Sequence, residues 1–222
     1  MTGSGEELKA VMAQNGIELP DEQVQRLSEY LDILWEINEN INLTRHTTFA
    51  QFVERDLIDS LALAESLQEG ESILDVGTGG GVPGIVLAIV RPDLRVTLCD
   101  SVRKKAEAVG KIVERLGIEV AVLHGRAENI VSDVRFNTLV IRAVAKMRKI
   151  LTWFEKSWHY FDRILLVKGP AWVDERGEAR HYGLLKELAL RKLKTYLPSE
   201  GDHGESVILQ VCRKDRLAEF ES

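Results

Sequence analysis

The sequence predicts an open, doubly wound α/β sheet preceded by a helical extension, on three observations. From Gly70 onward, short β-branched and aliphatic runs alternate with helical stretches, the pattern of βαβ units around a parallel sheet. The segment Ile73–Gly84 places a glycine cluster between a strand and a helix, where such sheets take nucleotides. The last two strand candidates are joined by a loop too short for a parallel crossover, so the sheet ends on an antiparallel hairpin.

Between Leu19 and Asn40, the apolar residues Val24, Leu27, Leu31 and Leu34 recur at steps of three and four, with Pro20 and acids near the start. That spacing predicts an amphipathic helix. A shorter helix is expected at Glu6–Asn15, stopped by Gly16, and another over Phe49–Leu67, stopped before Gly70. Residues 1–70 are therefore assigned to the helical extension and residues 71–222 to one compact sheet unit. Strands are expected at Ser72–Val76, Arg95–Cys99, Val120–Leu123, Thr138–Ile141 and Arg163–Val167, with helices of roughly 11 to 15 residues between them. Lys194–Leu197 and Ser206–Cys212 form the terminal hairpin around the loop Pro198–Glu205. A parallel sheet closed in this way is the layout of class I methyltransferases, a Rossmann-like sheet of seven strands, whereas nicotinamide-binding sheets usually continue with crossover helices.

At 222 residues with 45% hydrophobic composition, the chain suits one folded core plus an appendage. The longest apolar run, Ile85–Val90, is too short to cross a bilayer, and Met1–Lys9 carries two Glu without an apolar signal region. A cytoplasmic, membrane-free protein is expected. Cys99 and Cys212 lie in apolar strand-like stretches and read as buried free thiols of a reducing compartment, with a single bridge between them as the alternative. Five scattered His residues lack partners at metal-ligand spacing, so no metal is expected. A net charge of −6 argues against indiscriminate binding to naked nucleic acid, though a local basic patch remains open. The lack of a long apolar surface stripe favours a monomer.

Within the glycine segment, Gly79, Gly81 and Gly84 satisfy G-x-G-x-x-G, a weak signal that a plain tight turn also produces. Two features favour a methyl donor over a dinucleotide. Asp75 ends the strand just before Gly77, where a carboxylate would oppose a pyrophosphate but could orient the turn near the cationic centres of S-adenosylmethionine. Pro83 removes an N–H from the helix start, where a pyrophosphate would need it. Asp100, past the second strand, stands where an acid accepts from ribose hydroxyls, and it can equally cap the next helix. His124–Glu128 follows the third strand, and there Ala127 and Glu128 could meet an adenine; Glu128 also reads as a simple surface acid at a helix start. Arg142 and Lys168 follow the fourth and fifth strands and so face the crevice, unless they are merely solvated.

These residues resemble the bacterial small-subunit ribosomal RNA methyltransferase G family, also called glucose-inhibited division protein B. The resemblance rests on Asn38-Glu39-Asn40-Ile41-Asn42-Leu43-Thr44, Asp59-Ser60-Leu61, the segment Asp75–Gly84, Asp100-Ser101 with Arg103-Lys104, Arg142-Ala143 and Lys168-Gly169, in family order over roughly residues 33 to 212. It implies transfer of a methyl group from S-adenosylmethionine to N7 of a guanine in small-subunit rRNA. On that pattern Gly77, Val82, Ala127, Glu128 and Arg142 contact the cofactor, alongside Asp75, Gly79, Gly81 and Asp100. Arg103, Lys104, Arg126 and Lys168 line an RNA-facing surface. The family usually has His where this chain has Asp56, and Lys and Trp are common at the positions of Asn40 and Ile37, departures that bear on substrate contacts more than on the cofactor.

Guanine N7 has an in-plane lone pair and needs no deprotonation, so no catalytic acid or base is expected. Alignment does the work, with Arg142 and Lys168 holding the base and a neighbouring phosphate. An A-form groove is too narrow for side chains to read, so the target must be unpaired or extruded. An acidic protein suits RNA presented by a folded, protein-bearing ribosomal particle. The alternatives are methylation of a small molecule or protein, and a non-catalytic relative that only binds the cofactor. Transfer of labelled methyl to unmodified small subunits separates all three.

Overall fold

A computed structural model describes residues 3–197 and 204–220. Helix α1 (Gly3–Gln14) precedes α2 (Asp21–Asn38), which buries Val24, Leu27, Tyr30, Leu31 and Leu34 along the stripe expected from the sequence. Acids Asp21 and Glu22 occupy its first turn, favourable against the helix dipole. The third expected helix is broken into three parts. Thr48 caps α3 (Phe49–Gln51) by accepting from the Gln51 N–H, a π-helical turn follows at Phe52–Leu57, and α4 (Ile58–Ala64) completes the segment.

The sheet runs β1 (Ser72–Val76), β2 (Arg95–Asp100), β3 (Ala121–His124), β4 (Phe136–Arg142), β5 (Phe161–Lys168), β6 (Leu188–Tyr196) and β7 (Ser206–Arg213) in spatial order β3-β2-β1-β4-β5-β7-β6. The first five strands pair in parallel, and β7 lies antiparallel to both β5 and β6. This reversed hairpin is the one expected from the sequence; of its loop, residues 198–203 lie outside the described residues. The order reverses beside β1, so the carboxyl ends of β1 and β4 flank the switch point where open sheets bind ligands.

Two expectations need correction. The intervening helices α5 (Gly84–Val90), α7 (Ala127–Asp133) and α8 (Met147–Trp153) have 7 residues each and α9 (Trp172–His181) has 10, so only α6 (Arg103–Leu116) reaches the expected length. Glycine turns and extended linkers supply the rest of each crossover. Strand β6 begins at Leu188, six residues before its expected start, because ladder pairing with β7 overrides the helix-forming run Leu188–Leu193. A shift between Lys192 and Lys194 interrupts that ladder.

Two apolar clusters sandwich the sheet. One joins α1, α2, α4, α5 and α6 to one face through residues such as Leu8, Leu31, Leu63, Ile85, Ile112 and Val140. The other packs α7, α8 and α9 on the opposite face through Val131, Ile150, Ala179 and Leu166. The N-terminal helices thus share a core with the sheet. Cys99 and Cys212 are buried free thiols, as expected. Among the described residues no helix is long and apolar enough to cross a membrane, and no group of His, Cys, Asp and Glu is arranged to hold a metal.

Candidate active site

The glycine turn is held by backbone and carboxylates rather than by its own residues alone. Gly77 and Thr78 both donate from their N–H to the Cys99 carbonyl, at 2.9 and 3.0 Å, tying the turn to the end of β2. Asp75 is buried, and its Oδ2 accepts from the Thr78 hydroxyl (2.6 Å) and the Gly84 N–H (2.9 Å). Burial pushes the Asp75 carboxyl up to about 6, with the Thr78 and Gly84 donors opposing the rise. Asp100 accepts from Gly79 N–H (3.2 Å) and Val102 N–H (2.8 Å), and its carbonyl receives the Gly125 N–H (3.0 Å). From the helical extension, the Tyr30 hydroxyl donates to the Gly80 carbonyl at 2.9 Å.

Two glycines are required by geometry. Gly77 has φ of +72°, which side chains rarely adopt, and a Cβ there would sit 2.8 Å from Val144 Cγ2. Gly84 has an ordinary backbone but no room: a Cβ would stand 2.1 Å from Leu98 Cδ2 and 2.8 Å from Asp75 Oδ2.

A cavity of about 230 Å³ opens beside the turn, lined by Val76, Gly77, Cys99 and Ser101 on the β1 and β2 side, and by Arg126, Ala127 and Glu128 after β3. Gly125, Val144, Lys149 and Trp153 complete its wall. Its chemistry suits a nucleoside: apolar flanks for a flat base, hydroxyl and carboxylate groups for donors, and a cation at the rim. Lys149 Nζ stands 5.6 Å from the Trp153 ring centroid, placing charge against an aromatic face. Val144 reaches the cavity from a loop in which Ala143 has φ of +54°, a strained value for a residue with a side chain.

Of the residues singled out in the sequence, Gly77, Ala127 and Glu128 line this cavity. Arg126, assigned above to the RNA-facing surface, lines it too and lies 3.6 Å from Glu128. Asp75, Gly79, Gly81, Val82 and Asp100 are not among its lining residues; the Asp75 and Asp100 carboxylates hold the turn from behind. Arg103 and Lys104 are exposed at the start of α6. Cys99, Ser101, Val144, Lys149 and Trp153 were not expected to line a cofactor cavity, Cys99 having been read as a buried thiol and Ser101 only as the neighbour of Asp100. The first two flank Asp100 and were within reach of the strand pattern, whereas the others depend on how α8 docks.

Arg142 and Lys168 are both ion-paired to carboxylates. The Arg142 guanidinium binds the Asp56 carboxylate through Nη2, and through Nη1 Asp59 at 3.0 Å and the Arg55 carbonyl at 3.3 Å. Burial works against its charge, but the flanking carboxylates more than restore it, so its pKa lies above the ordinary value. Burial raises the Asp59 carboxyl, while burial of Asp56 is outweighed by His46 and Arg142, which hold it below its ordinary value. Tyr196 donates its hydroxyl to Asp59 at 2.7 Å, joining β6 to the same group. Lys168, expected on the RNA-facing surface, has its Nζ 2.8 Å from Glu175 and donates to the Ala145 carbonyl at 2.7 Å, with the side chain only 12% exposed. Glu175 also accepts from the Met147 N–H at 2.7 Å, so this pair pins the loop that carries Val144.

The architecture recurs in solved structures. An O-methyltransferase from Bacillus cereus, crystallised with SAH, superposes with a TM-score of 0.59 at 18% identity, covering 95% of this chain and 100% of that one. M. capricolum TrmK, in complex with S-adenosyl-homocysteine, gives 0.55 at 14% identity over 70% of this chain and 67% of that one. These likenesses establish the class I methyltransferase fold. Sequence similarity goes further: the chain is 45% identical to the ribosomal RNA small subunit methyltransferase G of Rhodopirellula baltica, covering 95% of this chain and 98% of that protein. Its counterpart from Pelotomaculum thermopropionicum is 32% identical over 95% and 91%. A family model described as rRNA small subunit methyltransferase G matches residues 23–196, from α2 through the glycine turn and the Arg142 cluster to the end of β6. The chain belongs to the rRNA small subunit methyltransferase G family.

Proposed function

We infer that this protein transfers a methyl group from S-adenosylmethionine to N7 of a guanine in small-subunit ribosomal RNA. The observation that carries the reading is the cavity beside the glycine turn, whose lining suits a nucleoside, in a chain whose family membership spans that whole region. Gly77, Ala127, Glu128, Ser101 and Trp153 are the residues that would hold the cofactor, which when bound supplies an electrophilic methyl on a sulfonium. Glu128 and Ser101 offer acceptors to its hydroxyl and amino groups, and Trp153 with Val76 and Val144 offers apolar surface to its base.

The remaining chemistry belongs to alignment. Guanine N7 attacks without first losing a proton, so this chain's residues orient reactants rather than move protons. The reaction transfers positive charge to the base. Asp56 and Asp59 with Arg142 form a buried group with one carboxylate in excess at the end of β4, and this offsets charge developing on the base. Arg103, Lys104 and Arg126 are exposed and provide phosphate contacts, whereas Lys168 acts through the Val144 loop. A monomer acting on RNA within a folded ribosomal particle fits the acidic balance of −6 better than free RNA.

Incubation with labelled S-adenosylmethionine tests the reading on unmodified small subunits, deproteinised rRNA and a lysate depleted of ribosomes. Label in subunit rRNA is expected. Label confined to proteins or small molecules would overturn it, and faster labelling of naked rRNA would overturn the particle preference.

A further inference from the structure

We propose that His46 positions the target guanine: Asp56 fixes one edge of its imidazole, and the other edge accepts a hydrogen bond from the base. This rests on the methyl-transfer reading above and adds a substrate contact outside the glycine turn.

The backbone of His46 is fixed before its ring makes any contact. Asn38 Oδ1 accepts from the Leu43 and Thr44 N–H groups at 2.8 and 3.0 Å, and Asn38 Nδ2 donates to the Thr44 carbonyl at 3.1 Å. His46 donates its own N–H to Thr44 Oγ1 (3.0 Å), and its carbonyl accepts from Trp35 Nε1 (3.0 Å). The same segment lies over the glycine turn, where the Leu43 carbonyl stands 3.7 Å from the Cβ position of either Gly79 or Gly80. On the other side, His46 Nδ1 lies 2.9 Å from Asp56 Oδ2, and Asp56 Oδ1 holds Arg142, the last residue of β4. The ring is therefore tied through Asp56 to the carboxyl end of β4, and its backbone segment lies over the glycine turn.

An ionised carboxylate only accepts, so Nδ1 carries a hydrogen, and in the neutral ring Nε2 presents a lone pair. Among the described residues nothing bonds Nε2, and the side chain is 31% exposed while Asp56 is 4% exposed. A buried carboxylate, itself ion-paired with Arg142, thus orients a half-open imidazole. Guanine offers N1–H and N2–H donors on its Watson–Crick edge, where adenine has an acceptor at N1 and no amine at C2. An acceptor on that edge selects guanine and leaves N7, on the opposite edge, free to attack. The charged and titratable groups facing the pair are Arg142 from β4, Asp59 and Arg55 from the segment around the π-helical turn, Tyr196 from β6, Tyr30 from α2 and Asp75 from β1.

The test compares wild type with H46A and H46N on unmodified small subunits, because an Asn amide can still donate to Asp56 but has nothing at the Nε2 position. Both variants are expected to lose about tenfold in kcat/KM, the worth of one hydrogen bond, with S-adenosylhomocysteine affinity unchanged; Tm should be unchanged in H46N, which keeps the donor to Asp56, and lower in H46A, which does not. Wild-type kcat/KM in H46N, or a loss matched by weakened cofactor binding, overturns the histidine's role alone. Wild-type protein that methylates no subunits overturns both this inference and the reaction it rests on.

Discussion

Replacing Gly84 by Ala tests the packing of the glycine turn most sharply. The added Cβ would stand 2.1 Å from Leu98 Cδ2 and 2.8 Å from Asp75 Oδ2. Carbon atoms rest at roughly 3.5–4.0 Å, so Leu98 must retreat by about 1.4 Å or more into a core where it is fully buried. Overpacking of this kind costs about 1–3 kcal/mol, which in a chain of this size lowers Tm by about 2–12 °C. Displacing Asp75 also loosens Thr78, so S-adenosylhomocysteine should bind more weakly. Gly77→Ala behaves differently: its clash is with the end of an exposed Val144 side chain, and its positive φ costs about 1–2 kcal/mol, so binding should suffer more than stability. Thermal unfolding and calorimetric titration read both quantities. The double variant G84A/L98A should be less destabilised than the sum of its parts. G84A with wild-type Tm and affinity would refute the described packing.

Three further outcomes follow from the same geometry. Asp75 ionises at about 6 in the native state against 3.8 in the unfolded chain, so its ionisation opposes folding: the penalty is absent below about pH 4, grows to about 3 kcal/mol by pH 6 and is constant above. Urea unfolding of D75N should lack that slope between pH 4 and 6, and an unchanged slope would remove Asp75 as its source. Arg142→Met strands Asp56 and Asp59 without their cation and should cost about 3–5 kcal/mol, read as a lowered urea midpoint; a stable R142M would mean the cluster is solvated. In RNA-binding titrations, R103A and K104A should each reduce the log–log salt slope by roughly 0.7, while K168A should leave the slope unchanged. A reduced slope in K168A would restore that lysine to the RNA surface.

What was legible in the sequence was local. Ser72–Val76 and the glycine turn were readable because strand, turn and helix start lie within a dozen residues, and the reversed hairpin followed from loop length alone. The early start of β6 was not, since Leu188–Leu193 favours a helix by composition and becomes a strand only through its ladder with β7. Lys168 stands at a strand end as expected, but Glu175 on α9 turns it inward, and that contact depends on helix docking. The grouping of His46, Asp56 and Arg142 carries no sequence signature, because a π-helical turn and the end of β4 bring together residues far apart in the chain. Asp56, noted only as a departure from the family pattern, is the residue through which His46 and Arg142 meet.

The account stands or falls on the identity of the methylated atom. Small-subunit rRNA from a strain lacking this activity, incubated within its subunits with the protein and S-adenosylmethionine, can be reduced with borohydride and cleaved with aniline, which cuts only at 7-methylguanosine. A new break at a single guanine, absent when the cofactor is omitted, is the expected result. Intact rRNA, or label incorporated without any break, would contradict it.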